Sequence, residues 1–162
     1  MLGLSSDLLA IYLQDHLAGA TVGVELSRRI ARSNRDSALG EALTEIAEEI
    51  EADRAALVDV MERLSVGADR LKLTASWTAE KAGRLKLNGR LRTYSPLSRL
   101  EELELLSLGV EGKLALWQTL RRTVGAQERL SDVDFDELIE RARGQRRKLE
   151  RRRRAAADEA FS

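Results

Sequence analysis

The chain has 162 residues, 27 basic and 27 acidic side chains, one histidine and no cysteine. The length fits one domain, 1–162, with a real core. Without cysteine there are no disulfides or thiolate metal sites, and one imidazole excludes a zinc site that needs two or three.

Alanine, leucine, glutamate and arginine are abundant, while proline occurs once and aromatics make up 4%. Such a composition favours helix over sheet. No basic, apolar leader pattern stands at the start, and no apolar stretch nears the roughly 20 residues of a membrane span. The chain reads as cytoplasmic, with no membrane contact.

In chain order, Asp7 can cap a first helix to about Ser33, and "SNRD" makes a tight turn into a second helix from Asp36 to about Leu64. Helices of this length joined so tightly form an antiparallel hairpin roughly 40 Å long. "SVGADR" ends it. Residues 65–96 hold a shorter helix, at about 69–88, and the loop "NGRLRTYSP". Pro96 suits the first turn of a helix from Leu97 to Val124, and Asp134 with Glu137 resembles a capping box that opens a last helix to about residue 160. The expected fold is all-α: two long antiparallel hairpins forming a four-helix bundle, joined by a helix-containing crossover. The 69–88 helix is taken as the crossover, not as a fifth equal member, because its apolar stripe is the weakest.

Residues Leu39, Leu43, Ile46, Ile50, Asp53, Leu57, Val60 and Leu64 alternate steps of four and three, a heptad seam broken by Asp53 alone. His16 breaks the matching seam of the first helix in the same way. A turn centred near residues 34–35 puts His16 and Asp53 at one height, so the two are expected to form a buried polar pair. Arg54 stands at its rim. A satisfied pair that fixes the hairpin register is the plainest reading, and His16→Ala should then cost roughly 1–3 kcal/mol by stranding Asp53. An acid–base dyad is the functional alternative, though no serine or cysteine nucleophile stands alongside. Metal ligation is a further alternative. Gly19 and Gly23 lie on the same side and are expected to allow close approach of a neighbouring helix or of Trp117; space for a ligand is the competing account.

Residues 7–64 with 97–160 resemble the ferritin-like superfamily in helix number, helix length and connection pattern. That resemblance implies inward glutamates and Glu-x-x-His motifs that hold two metals. "VGVEL" and "LGVEG" echo one another around Glu25 and Glu111, but helical phase places both glutamates outside. No Glu-x-x-His occurs. The resemblance therefore carries the architecture, and no metal or other cofactor is expected.

Charge is segregated. Residues 36–63 hold nine acids against Arg54 and Arg63, residues 70–92 seven bases against Glu80, and residues 141–154 nine bases against Glu150. Such surfaces are expected to face each other, within the fold or between protomers. Arg143, Arg146, Arg147, Lys148, Arg151 and Arg152 form a basic surface whose simplest partner is the acidic second helix; an acidic protein partner or nucleic acid are alternatives. Nucleic acid is disfavoured by the scarce aromatics and zero net charge. Trp77, Leu73 and Leu87 lie off the inner face of their segment and suggest a second protomer, most simply a dimer. The expected function is that of a non-catalytic bundle acting through association surfaces. A metal-binding, oxidase-like member of the superfamily is the alternative, and nucleic-acid binding by the last helix the third.

Overall fold

Helix starts leave backbone N–H groups without partners, and short polar side chains supply them. The computed structural model describes residues 2–66 and 94–162, with side chains from Ser6 onward. Helix α1 spans Leu2–Ser33, α2 Ala38–Arg63, α3 Pro96–Thr123 and α4 Phe135–Phe161, with a 3-10 turn at Glu128–Leu130. Ser37 Oγ accepts from Gly40 N–H at 3.3 Å, Ser95 Oγ from Ser98 N–H at 3.1 Å, and an Asp134 carboxylate oxygen from Glu137 N–H at 2.9 Å. Pro96 occupies the first turn of α3, where its missing N–H costs nothing. The first helix begins at Leu2 instead of Asp7, and Ser37, not Asp36, caps the second.

Two apolar clusters run through the bundle. One joins Leu13 and Leu17 of α1, Leu57, Val60 and Met61 of α2, Trp117 and Leu120 of α3, and Leu138, Ile139 and Ala142 of α4. The other joins Val24 and Ile30, Leu43, Ile46 and Ile50, Leu100, Leu103 and Leu106, then Leu149 and Ala156. The early part of α1 thus meets the late part of α2 and of α3, and the late part of α2 meets the early part of α4. Every neighbouring pair is antiparallel. Helices α1 and α2 pack closely, as do α3 and α4; α1 also lies along α3, while α2 and α4 approach at few points. The apolar seam of α2 is buried at Leu43, Ile46, Ile50, Leu57 and Val60, each contributing roughly 1.5–3 kcal/mol against the entropy of ordering the chain.

The ends of the hairpins place the two ends of the connection. At the close of α2, Arg63 donates to Asp132 at 2.5 Å and to the Arg129 carbonyl at 3.2 Å, beside the α3–α4 turn. Just before α3, the Tyr94 hydroxyl accepts from the Asn34 amide at 2.7 Å, beside the α1–α2 turn at the opposite end. The end of α2 and the start of α3 therefore lie at opposite ends of the bundle, about 40 Å apart for helices of this length. That placement agrees with two hairpins joined by a long connection and is compatible with a ferritin-like architecture. The expected 69–88 helix, with Trp77, Leu73 and Leu87, lies outside the described residues.

Two glycines, Gly40 and Gly125, are required by contact with backbone. A Cβ on Gly40 would stand 2.1 Å from the Asn34 carbonyl oxygen. Asn34 is held in place, since its amide also donates to the Ile30 carbonyl at 2.8 Å. Gly40→Ala is expected to lose about 1–3 kcal/mol through this clash, more than the roughly 1 kcal/mol that alanine returns to a helix. Urea unfolding reads it directly, and a raised midpoint would show that the turn moves aside freely.

Candidate functional site

Asp53 is almost wholly buried at the middle of the bundle. A carboxylate there loses its hydration, at an effective penalty of several kcal/mol, unless cations and donors replace the water. Lys113 Nζ, from α3, donates to Oδ2 at 2.5 Å. Gln145 Nε2, from α4, donates to the same oxygen at 3.0 Å, and Arg141 Nε donates to Oδ1 at 2.7 Å. Lys113 also donates to Gln145 Oε1, closing a ring among three helices. Burial pushes the Lys113 ammonium below its usual pKa of 10.5, and the Asp53 charge opposes that fall.

Beside this network a cavity of about 210 Å³ opens between α1, α2 and α3. Ile50, Leu57, Leu106, Val110, Leu116 and Trp117 form its apolar wall; Asp15, His16, Asp53, Arg54 and Lys113 supply the polar groups. Arg54 is steadied by a hydrogen bond from Nε to Thr21 Oγ1 at 3.0 Å. Gly19 and Gly23 border the cavity with Gly109 and Gly112. A Cβ on Gly19, Gly109 or Gly112 would meet nothing within 4 Å, and one on Gly23 would touch only Ile50 at 3.8 Å. At Gly19 open space stands where close approach was expected, and at Gly23 a Cβ would make no more than an ordinary contact with Ile50.

His16 and Asp53 both line this cavity, but the structure pairs them with other groups. The His16 ring meets Tyr12 edge-on, with ring centroids 4.6 Å apart, and makes no hydrogen bond among the described residues. The physical reason is charge. Burial lowers the His16 pKa below 6.5, with Asp15 pulling weakly the other way, so at neutral pH the ring brings no positive charge to a buried carboxylate. Lysine and arginine do. Replacing His16 therefore leaves Asp53 satisfied, and the loss expected from stranding it does not apply.

The lowered His16 pKa makes a different prediction. Between the folded value and 6.5 the unfolded chain binds more protons, so stability falls as pH drops through that window. Because the chain has one histidine, His16→Phe is expected to flatten the unfolding midpoint between pH 7.5 and pH 5 relative to the parent. Equal slopes for both proteins would mean that the ring stays solvated.

Three partners of Asp53 were not anticipated, and the rule that exposed Asp53 finds two of them. Leu103, Leu106, Val110, Lys113, Trp117 and Leu120 alternate three and four, with Lys113 the sole polar member. In the last helix Leu138, Ala142, Gln145 and Leu149 do the same, with Gln145 the exception. Only Arg141 reaches Asp53 from outside a seam.

The basic run of α4 meets carboxylates along its length. Lys148 bonds Glu45 at 2.9 Å and Glu49 at 2.8 Å on the acidic α2, Arg146 bonds Glu111 at 2.5 Å, and Arg143 bonds Glu140. Arg153 and Arg154 hold the Glu150 carboxyl down to about 2. Arg147, Arg151 and Arg152 make no ion pair among the described residues, and Arg147 and Arg151 are exposed. Glu25 and Glu111 are exposed, as helical phase requires. Among the described residues no group of three or more histidine, aspartate or glutamate side chains gathers as a metal site would need, and no helix is long and apolar enough to cross a membrane. Comparison with family models, with curated proteins and with solved structures finds no match for this chain.

Proposed function

We propose that the protein is a non-catalytic helical bundle of ferritin-like architecture that works by association, forming a homodimer, instead of performing metal or acid–base chemistry. The observation that carries this reading is the occupancy of Asp53. Lys113 and Arg141 stand 2.5 Å and 2.7 Å from its two oxygens, so a divalent cation would have to displace two positive charges from the one carboxylate buried among the described residues. The same two cations occupy the groups that would otherwise orient His16 as a base. Exposed Leu8 and Ile11 on α1, with Leu105 and Leu108 on α3, offer apolar surface for a second copy.

Metal analysis of protein purified without chelator, followed by light scattering on the same sample, tests the proposal. The expected result is far less than one metal ion per chain and the mass of a dimer. About two iron or manganese ions per chain would overturn the non-catalytic reading. A monomer at high micromolar concentration would overturn the self-association.

A further inference from the structure

We infer that the cavity between α1, α2 and α3 binds a small monocarboxylate with an apolar body about the size of benzoate. Size sets the first limit. The cavity measures about 210 Å³, and a cavity of about 150 Å³ holds benzene, so a ring plus one carboxylate fits and a nucleotide does not.

The walls set the second. Three helical glycines, Gly19, Gly109 and Gly112, meet no neighbour where a Cβ would stand, although glycine weakens a helix relative to alanine. Gly19 and Gly109 are exposed at the mouth and Gly112 half-buried behind them, and the space they border has an aliphatic and aromatic inner wall. Trp117 belongs to that wall, and its buried indole N–H has no acceptor among the described residues. A buried donor without a partner is uncommon and unfavourable, and a ligand oxygen would satisfy it.

Charge sets the third. Asp53 is matched by Lys113 and outmatched once Arg141 is included. Asp15, Asp53, Arg54 and Lys113 line the cavity and sum to zero with His16 neutral, and Arg141, outside the lining, supplies Asp53 with a second cation. Among the described residues Arg54 bonds only through Nε, to Thr21, leaving both terminal amino groups to donate, and Lys113 Nζ has a third N–H beyond those given to Asp53 and Gln145. The inner part of the site thus offers donors on Trp117, Lys113 and Arg54 while the Asp53 oxygens are already taken, and the Asp15 carboxylate stands exposed at its edge. Such an inner wall is the complement of an anion with an apolar body.

Isothermal titration of the full chain with sodium benzoate, benzyl alcohol and benzylammonium chloride tests the inference. Benzoate is expected to bind one per chain with a dissociation constant at or below the millimolar range, benzyl alcohol at least tenfold more weakly, and benzylammonium not at all. Gly109→Leu and Gly23→Leu fill the cavity from opposite walls, and each is expected to cut benzoate affinity at least tenfold. Gly109→Leu should also hold or raise the thermal midpoint, since leucine favours helix and the Cβ it adds meets nothing within 4 Å. Arg54→Met should bring benzoate close to the affinity of benzyl alcohol. No benzoate binding at millimolar concentration overturns the inference, as does equal affinity for the acid and the alcohol. Affinity unchanged in both leucine variants, with their helical circular dichroism intact, places the binding elsewhere and also overturns it. None of these readouts depends on the metal content or mass of the protein, so they stand or fall apart from the non-catalytic reading.

Discussion

Asp53→Ala is expected to lower the stability of the fold by about 3–5 kcal/mol, the range for breaking a buried ion pair by removing one partner. For a chain of this size that corresponds to a fall of roughly 10 °C in the thermal midpoint. The cost comes from what remains, more than from what is lost. Lys113 and Arg141, converging on Asp53 at 2.5 Å and 2.7 Å, would face each other across an apolar gap with no anion between them. Lys113 has only a small part of its side chain in water, so it cannot simply turn outward.

Two further measurements separate this cause from a packing defect. The sign of the pH effect follows from Lys113, whose folded pKa already lies below 10.5. Between the folded and unfolded values the unfolded chain holds more protons, so stability rises with pH in that window. Removing Asp53 takes away the group that opposes the depression, so the variant is expected to regain stability more steeply than the parent as pH approaches 10. The double variant Asp53→Leu with Lys113→Met, which swaps the buried pair for apolar groups of similar volume, is expected to recover more than half of the loss. A single-variant loss under 1 kcal/mol would mean that water reaches the network and that it does not hold its three helices together.

Trp117→Ala is expected to cost about 3–5 kcal/mol, as removal of a fully buried large aromatic does. Trp117 has no exposed surface, lies within reach of the Phe135 ring at 6.4 Å between centroids, and forms a wall of the existing cavity. Its removal joins a new void to one of about 210 Å³. Close packing of α1 with α2 and of α3 with α4 leaves little freedom for the wall to collapse. Trp117→Phe is expected to cost less than half as much, because the indole N–H has no acceptor to lose and only volume changes. Urea unfolding of the two variants measures both losses. Equal losses would show that the N–H is bonded, and an alanine loss below about 1.5 kcal/mol would show that the bundle closes over the gap.

The sequence by itself determined the four long helices, Pro96 in the first turn of α3, the cap at Asp134, the buried seam of α2 and the isolation of Asp53 within it. These follow from spacings of three and four residues and from the first residues of each helix, which are local properties of the chain. It also placed His16 and Asp53 on one level, and both do line the same cavity. What it did not determine is which of the polar groups at that level meets the carboxylate. Lys113, Arg141 and Gln145 stand 60, 88 and 92 residues from Asp53, and they converge only once the second hairpin lies against the first. Among groups so gathered, a buried carboxylate takes full positive charges ahead of an imidazole that burial keeps neutral.

The glycines follow the same division. Gly19 and Gly23 read equally well as close packing or as free space until the position of α3 is known, because a missing Cβ says nothing about its neighbour. Only the tertiary arrangement, with Gly109 and Gly112 across from them, turned a small-residue stripe into an open cavity.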